Sequence, residues 1–172
     1  MTMIAKGLDM KRSRGDNMRD RVIRDEIHRD ILVPARIARL IDTREFQRLR
    51  NIQQLATCHY VFPAATHNRF SHSLGAFYLA GSLCDHLNEV QNGIISKEDA
   101  ELVSIAALLH DIVSYPKSSK RSKLSSVDSA KKSKLILKKY SFTEEEITII
   151  SDAITDHSFS QNKVPQTLEG KI

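Results

Sequence analysis

Two stretches of this chain, 72–87 (HSLGAFYLAGSLCDHL) and 102–113 (LVSIAALLHDIV), are apolar round most of a helical circumference. A helix of that kind has little face to give to water, so it belongs inside a bundle of other helices. The pair predicts an all-α globule with two inner helices, with the outer ones supplied by the rest of the chain. Composition agrees, because aromatics are 6% of the chain and Trp is absent, which argues against a sandwich or barrel. At 172 residues the chain is long enough for one core and short for two.

Residues 1–25 are polar and basic with little periodicity and read as a poorly ordered arm, leaving 26–172 as the domain. EIHRDILV at 26–33 mixes alternation with β-branched residues and stops at Pro34, which predicts a short extended segment. A helix over 35–40 follows. Asp42 and Thr43 are good helix starters, and Phe46, Leu49, Ile52, Gln53 and Leu55 then recur at helical spacing, predicting an amphipathic second helix over 44–56. The stretch 57–68, with Pro63 and two aromatics, reads as a packed turn. A long helix runs from Ser71 to near Gly93. Ser96–Asp99 and Thr143–Glu146 are capping boxes opening two more, and 130–139 forms a modest helix between them.

No run approaches the ~18 apolar residues of a membrane span, and the charged start lacks a signal segment. The expectation is a soluble protein with no membrane partner, cytoplasmic, or nuclear if the source is eukaryotic. Cys58 and Cys84 lack C-x-x-C spacing and read as core thiols. The formal charge of +5 is local: segment 114–134 holds seven Lys or Arg against one acid, and the remainder is close to neutral. Such a strip suits the phosphates of a nucleotide or of single-stranded nucleic acid, and it equally suits a solvated Ser/Lys loop.

The chemistry concentrates at the ends of the two inner helices. A His followed by an Asp at the end of a buried helix is costly unless the polar atoms find partners. Residues adjacent on a helix point about 100° apart, so His110 and Asp111 can both reach a cation beside the helix terminus. The donor mix suits a divalent Mn, Fe, Zn or Mg ion without choosing among them. His72, at the start of the other inner helix with Arg69 just before it, supplies a second imidazole. His86 lies fourteen residues further, about 21 Å along the axis, and cannot share that ion. His28 and His59 read as structural, and His67 as a pocket-lining residue. His157, after the last apolar helix, is either a further site residue or a partner of the helix dipole.

An H followed by HD in an all-helical chain resembles the HD-domain metal-dependent phosphohydrolases. Residues 27–110, with IDTREFQRLRNIQQL, YVFPAATHNRF and SHSLG, are similar to the HD-domain deoxynucleoside triphosphate triphosphohydrolases of the sterile-alpha-motif type. Residues 106–172, with AALLHDIVSYPKSS, Ser129-Ala130 and HSFSQNKVPQTLEGKI, are more similar to the short stand-alone HD phosphohydrolases. The resemblance implies metal ligands at His72, His110 and Asp111 and a phosphate contact at Arg69; with His157 read from its position after the last helix, the expected catalytic set is Asp111, Arg69 and His157. It implies substrate contacts from Gln54 to a deoxyribose and from Arg69 and Lys117 to phosphate. Asp42, Gln47 and Arg50 match a regulatory guanine-nucleotide site that works in a homo-oligomer.

The chain also departs from the pattern. Ser114 and Ser119 stand where the triphosphohydrolases carry two further histidines, so that acid–base arrangement is lacking. The last metal-ligand Asp of both families would follow Ile172, which leads to the expectation of an HD domain short of its C-terminal part; the alternatives are that Asp152 or Asp156 substitutes or that the metal is held weakly. The reading is therefore a nucleotide phosphohydrolase, most simply of a (deoxy)nucleoside triphosphate. Its alternative is a catalytically impaired HD protein that binds nucleotide or nucleic acid.

Overall fold

The computed structural model describes residues 19–116 and 118–157. It begins with a hairpin, β1 (Arg21–Asp25) against β2 (Arg29–Val33), antiparallel and in register from Arg21↔Val33 to Asp25↔Arg29. The turn is closed by Asp25 Oδ1, which accepts from the Ile27 and His28 amides, a side-chain mimic of a backbone turn. Alternation puts the paired Ile23 and Ile31 inward and leaves the paired Val22 and Leu32 exposed. The expected arm is thereby corrected over 21–25: these residues pair with β2 because Ile23 shares its buried face. Residues 1–18 of the arm lie outside the described residues.

Pro34 ends β2 and precedes α1 (Ala35–Ile41). Thr43 then caps α2 (Arg44–Gln47), its hydroxyl accepting from Phe46 N. The single amphipathic helix expected over 44–56 is instead α2, a 3-10 turn at Arg48–Asn51 and a bend at Ile52. Tertiary pairing overrides the helical period there. Arg69 N donates to Ile52 O, Gln54 N donates to His67 O, and Gln53 bridges Asn68. The intervening loop is not the packed turn expected, since Tyr60, Val61 and Phe62 are more than half exposed. Its order comes from backbone bonds, with Val61 N and Phe62 N both donating to Cys58 O.

The remaining helices are α3 (Arg69–Val90), α4 (Lys97–Leu109), α5 (Ser125–Leu137) and α6 (Glu144–Asp156). Packing pairs α3 with α4, α5 with α6, and α4 with α6. Of the two expected inner helices, α4 is buried over its C-terminal two turns, with Leu102, Val103, Ile105, Ala106, Leu108 and Leu109 inside. Helix α3 differs. Phe70, Leu74 and Phe77 enter the core and the hairpin turn rests its His28 ring on Tyr78, but Leu79, Leu83 and Val90 face outward. Arg36 of α1 ties the layers together: it bonds Glu101 of α4 and Glu146 of α6 and lies over the Phe142 ring. The molecule is an all-α domain with one small hairpin, and no described helix is long and apolar enough to cross a membrane.

Candidate metal centre

The start of α3 and the end of α4 meet. Asn68 caps α3, its side-chain oxygen accepting from Ser71 N, and Phe70 is fixed edge-on against Phe46. That sets Arg69 and His72 on the first turn. His110 is the C-cap of α4, with Asp111 next to it. The ring centroids of His72 and His110 are 5.1 Å apart, as their sharing of one cation requires.

The ligand atoms form a triangle. His72 Nε2 to His110 Nε2 is 3.2 Å, His110 Nε2 to Asp111 Oδ2 is 3.6 Å and His72 Nε2 to Asp111 Oδ2 is 3.8 Å. The point equidistant from all three lies about 2.1 Å from each, the length of a zinc–nitrogen or zinc–oxygen bond. Protonation agrees. His110 Nδ1 contacts the Ala107 carbonyl at 2.7 Å, and because a carbonyl only accepts, Nδ1 carries the proton and Nε2 the lone pair. Burial is the main force pushing the His110 pKa down, against the pull of Asp111, and so favours the neutral, ligating imidazole. The residues present fit a divalent cation, and they form the one group of three or more candidate ligands among the described residues. Neither Asp152 nor Asp156 joins it.

Two neighbours, Arg69 and His157, adjoin the triangle. Arg69 Nη1 donates to Asp111 Oδ2 at 2.5 Å. His157, the C-cap of α6, donates from Nδ1 to Ile154 O and sets its ring 5.3 Å from that of His110, edge-on. Gln54 has its amide on His67 O, while its side-chain Oε1 is buried with no hydrogen-bond partner. Two supports were not legible in the sequence: Arg48 Nη2 donates to Ile112 O, and Ser129 Oγ bonds both Val113 N and Val113 O. Each holds the backbone just beyond Asp111, a role that leaves no spacing pattern to read.

Other expected residues are engaged elsewhere. Asp42 takes a two-pronged bond from Arg21, and Gln47 accepts from Arg50, whose guanidinium lies over Phe70. The structure thus brings Gln47 and Arg50 together and gives the Asp42 carboxylate a partner from β1. Lys117 lies outside the described residues. Ser119 caps a 3-10 turn at Lys120–Leu124, Arg121 stacks over Tyr115, and Lys131 and Lys132 pair with Asp128 and Glu45. Part of the basic strip is therefore neutralised locally.

The family model described as HD domain matches residues 69–172, which include the whole triangle. The chain belongs to the HD-domain family. Its HD domain is similar to the deoxynucleoside triphosphate triphosphohydrolase SAMHD1 of Homo sapiens, 52% identical over 93 residues that make up 54% of this chain and 15% of that protein. It is 44% identical over 92 residues to an uncharacterized protein of Methanocaldococcus jannaschii, covering 54% and 18%. Against the SAMHD1 homolog of Dictyostelium discoideum it is 38% identical over 119 residues, covering 62% and 23%. The chain spans less than a quarter of the length of each of these relatives.

Proposed function

We propose that this HD domain is a metal-dependent phosphohydrolase acting on a nucleotide, with a (deoxy)nucleoside triphosphate as its substrate class. The observation that carries the reading is the convergence of His72 Nε2, His110 Nε2 and Asp111 Oδ2 on one point at metal–ligand distance. Its similarity to triphosphohydrolases that bear the substrate in their name supports the same class.

Those three residues would hold one divalent ion of the Mn, Fe, Zn or Mg group. When bound, such an ion lowers the pKa of water and polarises a phosphoryl oxygen. The chain's own groups do the remainder. Arg69 offers a planar fork for a phosphate. His157, with Nδ1 committed to the Ile154 carbonyl, keeps Nε2 as the acceptor for the proton of an attacking water. The unpartnered Gln54 Oε1 accepts from a sugar hydroxyl, and Lys117 steadies a further phosphate. Asp42, Gln47 and Arg50 serve a second, regulatory nucleotide in a homo-oligomer, which requires Arg21 to release Asp42.

The test is metal content together with product analysis. Wild-type chain incubated with each deoxynucleoside and ribonucleoside triphosphate plus Mn²⁺ is expected to release inorganic triphosphate, read by anion-exchange chromatography. His110→Ala and Asp111→Ala are expected to lose both the ion and at least about 100-fold of the activity. Absence of bound metal and of phosphate, pyrophosphate or triphosphate release overturns the reading.

The second reading is a binder of nucleotide or single-stranded nucleic acid with little turnover. It is favoured by Ser119, which serves as the cap of a basic turn where the triphosphohydrolase pattern has an imidazole. It expects affinity for a single-stranded oligonucleotide to fall steeply with salt and to drop when Lys120, Arg121 and Lys123 are neutralised. A flat salt response counts against it.

A further inference from the structure

Asp111 Oδ2 has two claims on it. It is one corner of the ligand triangle, and it is also the oxygen that accepts from Arg69 Nη1. Both partners of this ion pair are largely shielded, with 19% and 22% of their side chains exposed, so solvent screens the contact poorly. Among the described residues, this is the hydrogen bond the Arg69 side chain makes. A divalent ion placed about 2.1 Å from Oδ2 would sit beside a guanidinium bonded to the same atom, and like charges at that range repel.

We propose that Arg69 is the resident counter-cation of the metal site. With no divalent ion bound, the guanidinium neutralises Asp111 and keeps a partly buried carboxylate from standing unpaired. When the ion takes Oδ2, the guanidinium is displaced and its fork becomes free for a phosphate anion. The inference rests on the metal reading above. Arg69 therefore stabilises the ion-free protein and weakens the ion's affinity, which is the opposite of what a residue that merely braces Asp111 would do.

The experiment uses the full chain and Mn²⁺ alone, with affinity by calorimetry and melting by near-UV circular dichroism. Arg69→Met is expected to melt several degrees lower without metal and to bind Mn²⁺ about tenfold more tightly, a coupling of the size common between interacting sites. Its melting temperature then rises more on Mn²⁺ addition than that of the wild type. Arg69→Lys keeps a cation and is expected to stay close to the wild type. Should Arg69→Met not fold, Arg69→Gln removes the charge while retaining a hydrogen bond to Oδ2 and carries the same expectation. Equal or weaker Mn²⁺ binding in the neutral variants overturns the proposal. If binding is also abolished by His110→Ala, the metal reading survives that result. If the wild type itself binds no Mn²⁺, both fall.

Discussion

Ser129 is fully buried, and its hydroxyl both accepts from Val113 N and donates to Val113 O, each at 3.1 Å. Replacing it by Ala strands a backbone donor and acceptor two residues past Asp111, at a cost of about 2 kcal/mol. Urea denaturation of Ser129→Ala should show that loss, and its Mn²⁺ affinity should fall with it; an unchanged midpoint refutes the bond's importance. At this scale the His72, His110 and Asp111 set was legible because polar residues interrupt runs that are otherwise apolar, and burial demands a reason for them. Ser129 and Arg48 were not, because they act on main-chain atoms whose position depends on how α5 and the 3-10 turn at Arg48–Asn51 dock.

Of the two expected capping boxes, the one at Thr143–Glu146 forms in full because its chemistry is local, whereas Ser96 caps α4 by accepting from Asp99 N without the reciprocal bond of a box. In α6, Thr143 Oγ1 accepts from Glu146 N while Glu146 Oε2 accepts from Thr143 N. Thr143→Ala should cost about 1 kcal/mol in chemical denaturation. Glu146 adds a pH signature. Burial works to raise its pKa, but the Thr143 amide and Arg36 outweigh burial and leave the carboxyl below its ordinary value. The unfolded chain therefore binds this proton first as pH falls, so the stabilisation is present above the ordinary carboxyl range and drains away through the folded-state pKa. Stability measured against pH should lose that acid-side slope in Glu146→Gln. The helix expected over 44–56 failed at the same scale for the opposite reason: its end was decided by pairing with 67–69, a partner distant in sequence.

Across the molecule, burial separates two kinds of leucine. Leu109→Ala empties a fully buried position beside His110 and should cost about 2–5 kcal/mol, while Leu79→Ser and Leu83→Ser, on the exposed side of α3, should stay within about 0.5 kcal/mol. Equal losses in all three, followed by thermal melting, would mean that the outer side of α3 is covered. The helical class and the inner place of α4 were legible as unbroken apolar circumference. The open side of α3 was not, since an apolar residue carries no mark of which neighbour arrives to cover it. Arg36 binds acids from α4 and α6 with one guanidinium, and α6 ends in His157. These ion pairs predict that α1 and α6 open as one cooperative unit: in a hydrogen-exchange experiment their amides should lose protection together, with Arg36→Met splitting that one event into two.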